Sequence, residues 1–496
     1  MLFNRLHKKY YNSIQGPVKE KFTRKCPDAI INPMSKKAFF ILALLVSFAP
    51  YGYPAGPLEP FRKQDRILIL APHPDDEALG ACGVIQQALS CGAKVKVLYL
   101  TNGDHNQFAF IVYAKRLPIR KAEFIHLGEV RRRESIKAMQ LLGLSEKDLI
   151  FLGYPDFGTF TIFSRYWETK KPFRSLLTRI SRVPYKEDLS FGAPYTGESI
   201  LADIKRVLLD YKPNKVFVTH PADVNVDHKS FYLFLQVALA DLRGRISYPK
   251  IYPYLIHRVG WPLPRHYHPQ LALEPPKEFI GSAARWFSLA LTPEQLEKKH
   301  QAILCYKSQT ESSAFYLLAF ARKNELFGDY PEIILERQDP AKGKVTFSDF
   351  SEMYVDAPAE VSAEPQESGA REKGEKGNVA YALSGSTLYV RIDKPQGLKN
   401  RLNFVVYLFG YSRDKPFARM PKLRLLAKHD RVRAFDKGKE ISPAGICIKS
   451  VPESDVLMLA IPLAVMGNPE FILSSIRSYG ATLSVDATSF RKIRIR

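Results

Sequence analysis

Between residues 66 and 89 an apolar run ends in a polar turn, and the turn leads into a helical pattern. The run Ile67–Leu70 predicts a buried strand, and Glu77–Leu89 predicts a helix. The turn between them contains His73, Asp75 and Asp76. Open α/β sheets place their ligand crevice at the carboxyl ends of the strands. We therefore expect an α/β fold in which these three side chains line such a crevice.

Apolar runs and helical patterns alternate along the chain as far as about residue 220. The predicted strands are Ile67–Ala71, Val95–Thr101, Leu149–Leu152 and Val216–Thr219. The predicted helices are Glu77–Leu89, Glu129–Leu142 and Glu198–Tyr211. This order is typical of parallel strands joined by crossover helices, so we expect a Rossmann-like, mostly parallel sheet. No glycine-rich dinucleotide fingerprint follows the first strand, which argues against a nucleotide cofactor.

A second polar cluster, His220 to His228, follows the predicted strand at Val216–Thr219. Three protein ligands and one open position are the pattern of a hydrolytic zinc site, and His73, Asp76 and His228 can supply the three. The adjacent Asp75 is then free for proton transfer. Solvated loop residues are the alternative for any one of these side chains. Two polar clusters that each directly follow a predicted strand favour a metal site instead.

The first motif, His-Pro-Asp-Asp-Glu at 73–77, and the distal pair Asp227-His228 resemble the PIG-L-like (LmbE-related) zinc deacetylases. Those enzymes act on N-acetylglucosaminides and related acetamido sugars. The resemblance covers roughly residues 66 to 327. It implies a zinc-dependent N-deacetylase, although another divalent metal stays open.

The resemblance also implies a role for individual residues. His73, Asp76 and His228 match the zinc ligands of the family, and Asp75 matches its general base. Arg131 matches an arginine that contacts the substrate; the alternative is a solvated face within the basic run at 131–133.

Further substrate contacts are expected near the predicted crevice. Asp104 and Asp156 close the second and third predicted strands, where the family carries polar substrate contacts, and Asp227 belongs to the distal motif. Long insertions at Gly103–Ala122 and Phe157–Tyr195 are candidate walls of the cleft, with ordinary loop packing as the alternative.

One position departs from the family pattern. Many relatives carry a histidine three residues before the distal zinc ligand, and this chain has Asn225 there. An asparagine amide can still donate a hydrogen bond to a developing oxyanion, but it cannot protonate the leaving amine. Protonated Asp75 or His257 would then supply that proton.

The pattern changes after Asp339, where short apolar runs separated by turn residues replace the strand–helix alternation. These runs predict an all-β sandwich over 341–496 that is separable from a deacetylase domain at 57–340. They are Val345–Phe347, Leu388–Ile392, Phe404–Leu408, Val456–Ile461, Phe471–Ser475 and Thr482–Val485. Residues 357–377 form a polar loop that we expect to be disordered.

The amino-terminal region predicts export. Lys36 and Lys37 precede the apolar run Ala38–Ala49, which is short for a membrane span. Residues 34–56 are therefore expected to be a signal peptide or an uncleaved signal anchor, with an extracytoplasmic catalytic domain. Met34 makes an ordinary start for such a signal, so 1–33 is expected to be an upstream extension or a misassigned start.

The net charge of the chain indicates which kinds of binding partner are expected. Lys and Arg together number 73 and Asp and Glu 50, a net charge of +23. The sequence carries no nucleic-acid-binding signature, so an anionic membrane or envelope surface fits better than nucleic acid. We expect an acetamido sugar or glycan as substrate. The alternatives are a glycan- or envelope-binding protein with a vestigial catalytic fold, and an amidase for another acylated small molecule.

Overall fold

A computed structural model describes most of the chain after the amino-terminal region. The described residues are 55–115, 120–279, 284–329, 331–337, 379–393, 403–428, 430–451, 456–480 and 483–496. The predicted extension at 1–33, nearly all of the predicted signal at 34–56, the run Val345–Phe347 and the loop at 357–377 lie outside them. Among the described helices, none is both long and apolar enough to span a bilayer.

An eight-stranded sheet forms the first layer of the fold. In chain order its strands are β1 (Gly56–Pro57), β2 (Arg66–Ala71), β3 (Lys94–Thr101), β4 (Leu149–Tyr154), β5 (Lys215–Thr219), β6 (Lys250–Tyr254), β7 (Arg285–Ala290) and β8 (Asn324–Asp329). Their spatial order is β1-β7-β8-β6-β5-β2-β3-β4. The pairings are parallel except for the two made by β8. The predicted mostly parallel α/β sheet is confirmed.

Helices cover both faces of this sheet. They are α1 (Asp76–Gly80), α2 (Cys82–Ser90), α3 (Gln107–Ala114), α4 (Lys121–Leu141), α5 (Thr159–Arg165), α6 (Gly197–Tyr211), α7 (Val226–Asp241), α8 (Pro293–Leu304) and α9 (Lys307–Leu317). Successive side chains of a strand point to opposite faces. In β2, Ile67 and Ile69 therefore pack into one core with α2 and α8, whereas Leu68 and Leu70 pack into another with α6 and α7.

The helix predicted at Glu77–Leu89 is divided in two. Ala81, which separates α1 from α2, has φ −143° and ψ 19°, outside the helical region. The preceding Gly80 lies directly against Tyr254, and a Cβ there would come within 2.3 Å of the ring. The close approach at Gly80 brings the end of α1, the helix that starts within the first motif, against the end of β6.

The carboxyl-terminal part consists of two further sheets, as predicted. Its strands are β9 (Ile333–Leu335), β10 (Val379–Ser384), β11 (Thr387–Asp393), β12 (Asn403–Tyr411), β13 (Lys422–Lys428), β14 (Arg431–Asp436), β15 (Lys439–Ile441), β16 (Cys447–Val451), β17 (Val456–Pro462), β18 (Phe471–Gly480), β19 (Leu483–Ala487) and β20 (Arg491–Ile495). One sheet has the order β10-β11-β17-β16, and the other β15-β14-β13-β12-β18-β20-β9, with β19 paired to β18. Side chains of both sheets, such as Leu388 and Val406, share one core.

The larger of these two sheets is also buried on its outer face. In β12, Phe404 and Val406 point into the sandwich, whereas Phe409 and Tyr411 belong to the core that contains α6 and α7. The ring centroids of Phe409 and Phe163, a residue of α5, are 5.3 Å apart. The sandwich and the α/β layer therefore share a continuous apolar core.

Candidate metal centre and active site

The two polar clusters of the sequence meet at the carboxyl ends of β2 and β5. His73 follows β2, Asp76 begins α1, and His228 lies in the first turn of α7, which follows β5. His73 Nδ1 is 3.2 Å from His228 Nε2 and 3.3 Å from Asp76 Oδ2, and His228 Nε2 is 3.2 Å from the same oxygen. All three side chains are buried. The structure thus brings together the three residues expected as metal ligands.

The spacing of these three atoms fits a metal ion. Tetrahedral zinc with bonds of about 2.0–2.2 Å holds its ligands roughly 3.3–3.6 Å apart. The three observed separations lie at or just below that range, and the set can hold one ion. Burial opposes ionisation of Asp76, but His228 and His73 lower its pKa well below the usual range. The carboxylate is therefore in the form that binds metal.

Carboxylates also contact the outer nitrogens of both histidines. His73 Nε2 lies 3.1 Å from Asp156 Oδ1 and 3.3 Å from Asp227 Oδ2. His228 Nδ1 lies 3.0 Å from Oδ2 of Asp223, which is not among the sequence-predicted site residues. A carboxylate on the outer nitrogen of a histidine fixes its tautomer, so that the other nitrogen presents a lone pair to the metal. Asp223, Asp156 and Asp227 are placed to orient the ligands in this way.

Asp227, expected as a substrate contact, is held by the loop after β4. Its Oδ2 accepts from the backbone amide of Phe157 at 2.6 Å, and its Oδ1 accepts from the amide of Thr159 at 3.1 Å and from the Thr159 hydroxyl. With His73 as a further neighbour, both oxygens are engaged. These contacts fix the start of α5 against the site.

Asp75 lies beside the ligands with its carboxylate directed toward an arginine. Asp75 Oδ2 accepts from Arg131 Nη2 at 3.2 Å. It occupies the N-cap position of α1, yet its side chain makes no capping hydrogen bond to the described backbone of that helix. Its φ of 122° is in a region that non-glycine residues rarely adopt, and such strain concentrates at functional sites. Burial raises the pKa of Asp75 to about 7, with Arg131 acting in the opposite direction.

Arg131 is a buried residue of the site, so the alternative of a solvated helix face does not hold. Only 4% of its surface is exposed. Besides Asp75 it donates to the carbonyl oxygens of Pro74 at 2.6 Å and Gly103 at 3.1 Å. Arg131 therefore joins the turn after β2 to the turn after β3 and holds a positive charge against Asp75.

Asp104 is buried behind Asp156 and is bound by the insertion at 157–195. Its Oδ2 accepts from the Tyr185 hydroxyl at 2.9 Å, and burial raises its pKa to about 7. Asp188, also in the insertion, accepts from Asn102 Nδ2 at 2.8 Å. The insertion is thus attached directly to the end of β3, consistent with a wall of the crevice.

The structure places Asn225 at the N-cap of α7, where its Oδ1 accepts from the amide of Asp227 at 2.8 Å. Because this bond engages the side-chain oxygen of Asn225, the group that Asn225 can offer to a substrate is the Nδ2 amide, as a hydrogen-bond donor. His257 is close to the ligands, with its ring centroid 4.8 Å from that of His228. Burial and the charge of His228 lower the pKa of His257 to about 4, so its ring is neutral near pH 7. A neutral ring is poorly suited to protonate a leaving amine.

A mostly parallel α/β sheet carries two histidines and an aspartate around one point, with a further carboxylate beside them, an arrangement that can support hydrolysis at a bound metal ion. Residues 68–239 match the family described as PIG-L: GlcNAc-PI de-N-acetylase, so this part of the chain is a PIG-L family domain. The match supports a deacetylase or a related hydrolase. No curated protein sequence matches the chain.

Several solved structures are similar to part of the chain. One is a conserved protein of Thermus thermophilus, which is 19% identical with a TM-score of 0.32. The similar region covers 52% of this chain and 85% of that protein. The N,N'-diacetylchitobiose deacetylase of Pyrococcus horikoshii is 18% identical, with coverages of 49% and 70% and a TM-score of 0.30. The 4-carboxy-2-hydroxymuconate hydratase of Pseudomonas putida is 15% identical, with coverages of 54% and 98% and a TM-score of 0.35. Likenesses this low do not bear on the reaction.

Proposed function

We propose that the chain is a zinc-dependent hydrolase that removes the N-acetyl group from an acetamido sugar or glycan. The observation that carries the proposal is the buried His73–Asp76–His228 group with the carboxylate of Asp75 at its side. A zinc ion held there would supply Lewis acidity for a water molecule and for the amide carbonyl. A protein that merely binds glycans has no need of a base next to such a group.

Asp75 is the proton acceptor in this proposal. Its pKa of about 7 means that it can take a proton from the attacking water near neutral pH and release it again. Arg131 holds the carboxylate in place and favours its ionised form. The same Asp75, once protonated, is the group that can return the proton to the leaving amine, because His257 is neutral and Asn225 does not titrate.

The tetrahedral oxyanion requires hydrogen-bond donors besides a metal. Asn225 offers its Nδ2 amide, since its Oδ1 is engaged in the helix cap. His257 offers a neutral ring beside His228. We propose that Asn225 donates to the oxyanion and that His257 lies along the substrate cleft without carrying a proton. Asp156 orients His73, and Asp104, which accepts from the Asp156 amide and the Tyr185 hydroxyl, supports it from behind.

An acetate-release assay tests this function. The full chain is offered a panel of acetamido sugars and polymers, together with acylated amines that are not sugars, before and after treatment with a chelator. Release of acetate from a sugar, its loss after chelation and its return with Zn²⁺ would support the proposal. Turnover of non-sugar amides alone would make the chain another amidase, and glycan binding without any turnover would make it a binding protein.

Export is a separate proposal that rests on the sequence of residues 34–56. Fractionation of cells that express the full chain checks it, with protease added to intact cells to detect an extracytoplasmic catalytic domain. Recovery of all the protein in the protease-protected soluble fraction would contradict it.

A further inference from the structure

A cavity of about 250 Å³ lies at the junction between the α/β layer and the sandwich. Leu239 and Arg243, at the end of α7, line one side, and Lys492 and Arg494, from β20, line the other. His228 lies at the opposite end of α7. Leu239 is eleven positions after His228, so the cavity lies about 16 Å along the helix from the metal group, at 1.5 Å per helical residue.

The cavity wall carries more positive than negative charge. Arg243, Lys492 and Arg494 contribute three cations, and Glu332 contributes one carboxylate, a balance of 3 − 1 = +2. The carboxylate of Glu332 pairs with two of these cations, since its oxygens lie 2.6 Å from Lys492 Nζ and 2.7 Å from Arg494 Nη2. Arg243 has a longer contact, 3.7 Å to Glu470. Burial, together with Arg494 and Arg243, lowers the pKa of Lys492 in spite of Glu332.

Cations near the end of α7 also have a structural explanation, since they complement the helix dipole. The helix dipole and the pairing with Glu332 account for Lys492 and Arg494, but they do not account for an exposed cation at the rim of the cavity. The side chain of Arg243 is 47% exposed. An arginine fork in that position matches the paired oxygens of a phosphate or a carboxylate.

An aromatic ring completes the rim. Tyr248 lines the cavity and is 61% exposed. A tyrosine offers a flat apolar face with a polar tip, so the C–H face of a sugar ring can pack on it while the hydroxyls reach charged neighbours. An exposed aromatic face beside converging cations is suited to a ring that carries an anionic substituent.

We propose that this cavity binds a saccharide unit bearing a phosphate or carboxylate group, at a subsite distinct from the metal group. The oxyanion pairs with Arg243, because Glu332 holds Arg494 through Nε at 2.8 Å and Nη2 at 2.7 Å, and the sugar ring packs on Tyr248. The assignment does not depend on the proposed deacetylation. A chain without hydrolytic activity could still bind such a ligand here, and an active one could lack this subsite.

Isothermal titration calorimetry on the full chain tests the proposal with glucose 6-phosphate, glucuronate, inorganic phosphate and glucose as probes. Glucose 6-phosphate or glucuronate should bind, and which of the two binds more tightly identifies the oxyanion. Glucose should show no binding. Added salt should weaken binding of the anionic sugar.

Two exposed positions keep the test independent of folding. Arg243→Gln should weaken binding of the anionic sugar at least about tenfold. Tyr248→Ala should weaken the binding of the anionic sugar but leave the binding of inorganic phosphate unchanged. Arg206→Gln, the same charge change at a 62% exposed position of α6, is the matched control and should bind as the parent chain does.

Several results would overturn the proposal. One is the absence of heat with both anionic sugars, and another is unchanged affinity in Arg243→Gln. Equal affinity for inorganic phosphate and glucose 6-phosphate, unaffected by Tyr248→Ala, would leave a bare anion site and exclude the saccharide.

Discussion

Asp223 Oδ2 lies 3.0 Å from His228 Nδ1, which directs Nε2 of that ring toward Asp76 and His73. The same oxygen accepts from the backbone amides of Ile256 and His257 at 3.1 and 2.8 Å. Burial acts to raise the pKa of Asp223, but His228, His257 and the backbone amide of Asn225 lower it, so the pKa lies below its usual value. Asp223 therefore orients one candidate ligand and is itself held by the segment that follows β6.

This relationship predicts the effect of Asp223→Asn. His228 Nδ1 and the two backbone amides share Oδ2, while the amide of Asn225 donates to Oδ1 at 2.9 Å. In the asparagine variant the NH₂ group replaces one of these oxygens and opposes its donors, and the negative charge that orients His228 is lost. We expect metal affinity to fall about 10- to 100-fold, the usual loss when such an outer carboxylate is changed. Competition with a chromogenic chelator measures it. Asp210→Asn, an exposed aspartate of α6, is the control and should bind metal normally. Unchanged affinity in Asp223→Asn would contradict the orienting role.

The neighbouring aspartates of the first motif should respond differently to the same change. Asp76→Asn removes a ligand and should abolish most metal binding. Asp75→Asn should keep the metal but remove the proton acceptor, which lowers the rate by about 10²–10⁴-fold. Metal content by mass spectrometry and acetate release on the same samples separate the two effects. Loss of metal from Asp75→Asn, with metal retained in Asp76→Asn, would show that the two roles are exchanged.

The sequence was sufficient for the three candidate ligands because each closes or follows a strand, and parallel strands bring such turns to one edge. It was not sufficient for Asp223. Its function depends on amides from residues 256 and 257, more than thirty positions away, which meet it because β5 and β6 are parallel neighbours. The available signal was a carboxylate five residues before a candidate ligand, in the loop that leads into the helix of that ligand.

Arg131 should set the pH dependence of the reaction. Asp75 has a raised pKa because it is buried, and Arg131 counteracts that rise. Arg131→Met removes the counteracting charge, so the pKa of Asp75 rises further and the carboxylate is protonated at a higher pH. The acid limb of the kcat/KM profile should therefore move to higher pH, with partial recovery of activity on the alkaline side.

Arg133→Met, an exposed arginine of the same helix, is the control for that profile. It should leave the acid limb in place. Equal loss of activity for Arg131→Met at every pH would indicate that the arginine acts through its hydrogen bonds to Pro74 and Gly103, and not through its charge.

The apolar runs after Asp339 predicted the strands of a sandwich that is separable from the α/β domain. In β12 the alternation is missing, because Phe404, Val406, Phe409 and Tyr411 are apolar on both faces. A strand buried on both faces reads as a continuous apolar run. That run was the available signal that the sheet packs against a second layer. In addition, β9 joins the carboxyl-terminal sheet through β20, so the chain leaves the α/β layer before residue 340.

Because the α/β layer and the sandwich share a core, we predict that the two parts depend on each other for stability. Phe409→Ala should lower the free energy of unfolding by about 3–5 kcal/mol, because it leaves a cavity against Phe163 of α5. Phe191→Ala removes the same atoms from a side chain that is 55% exposed, and should change it by less than about 0.5 kcal/mol. Urea titration followed by fluorescence compares the two.

A chain that ends at residue 340 should expose this apolar face and aggregate, which size-exclusion chromatography detects. A monomeric truncated chain with the metal affinity of the full protein would show instead that the α/β layer folds alone and that the sandwich merely covers it.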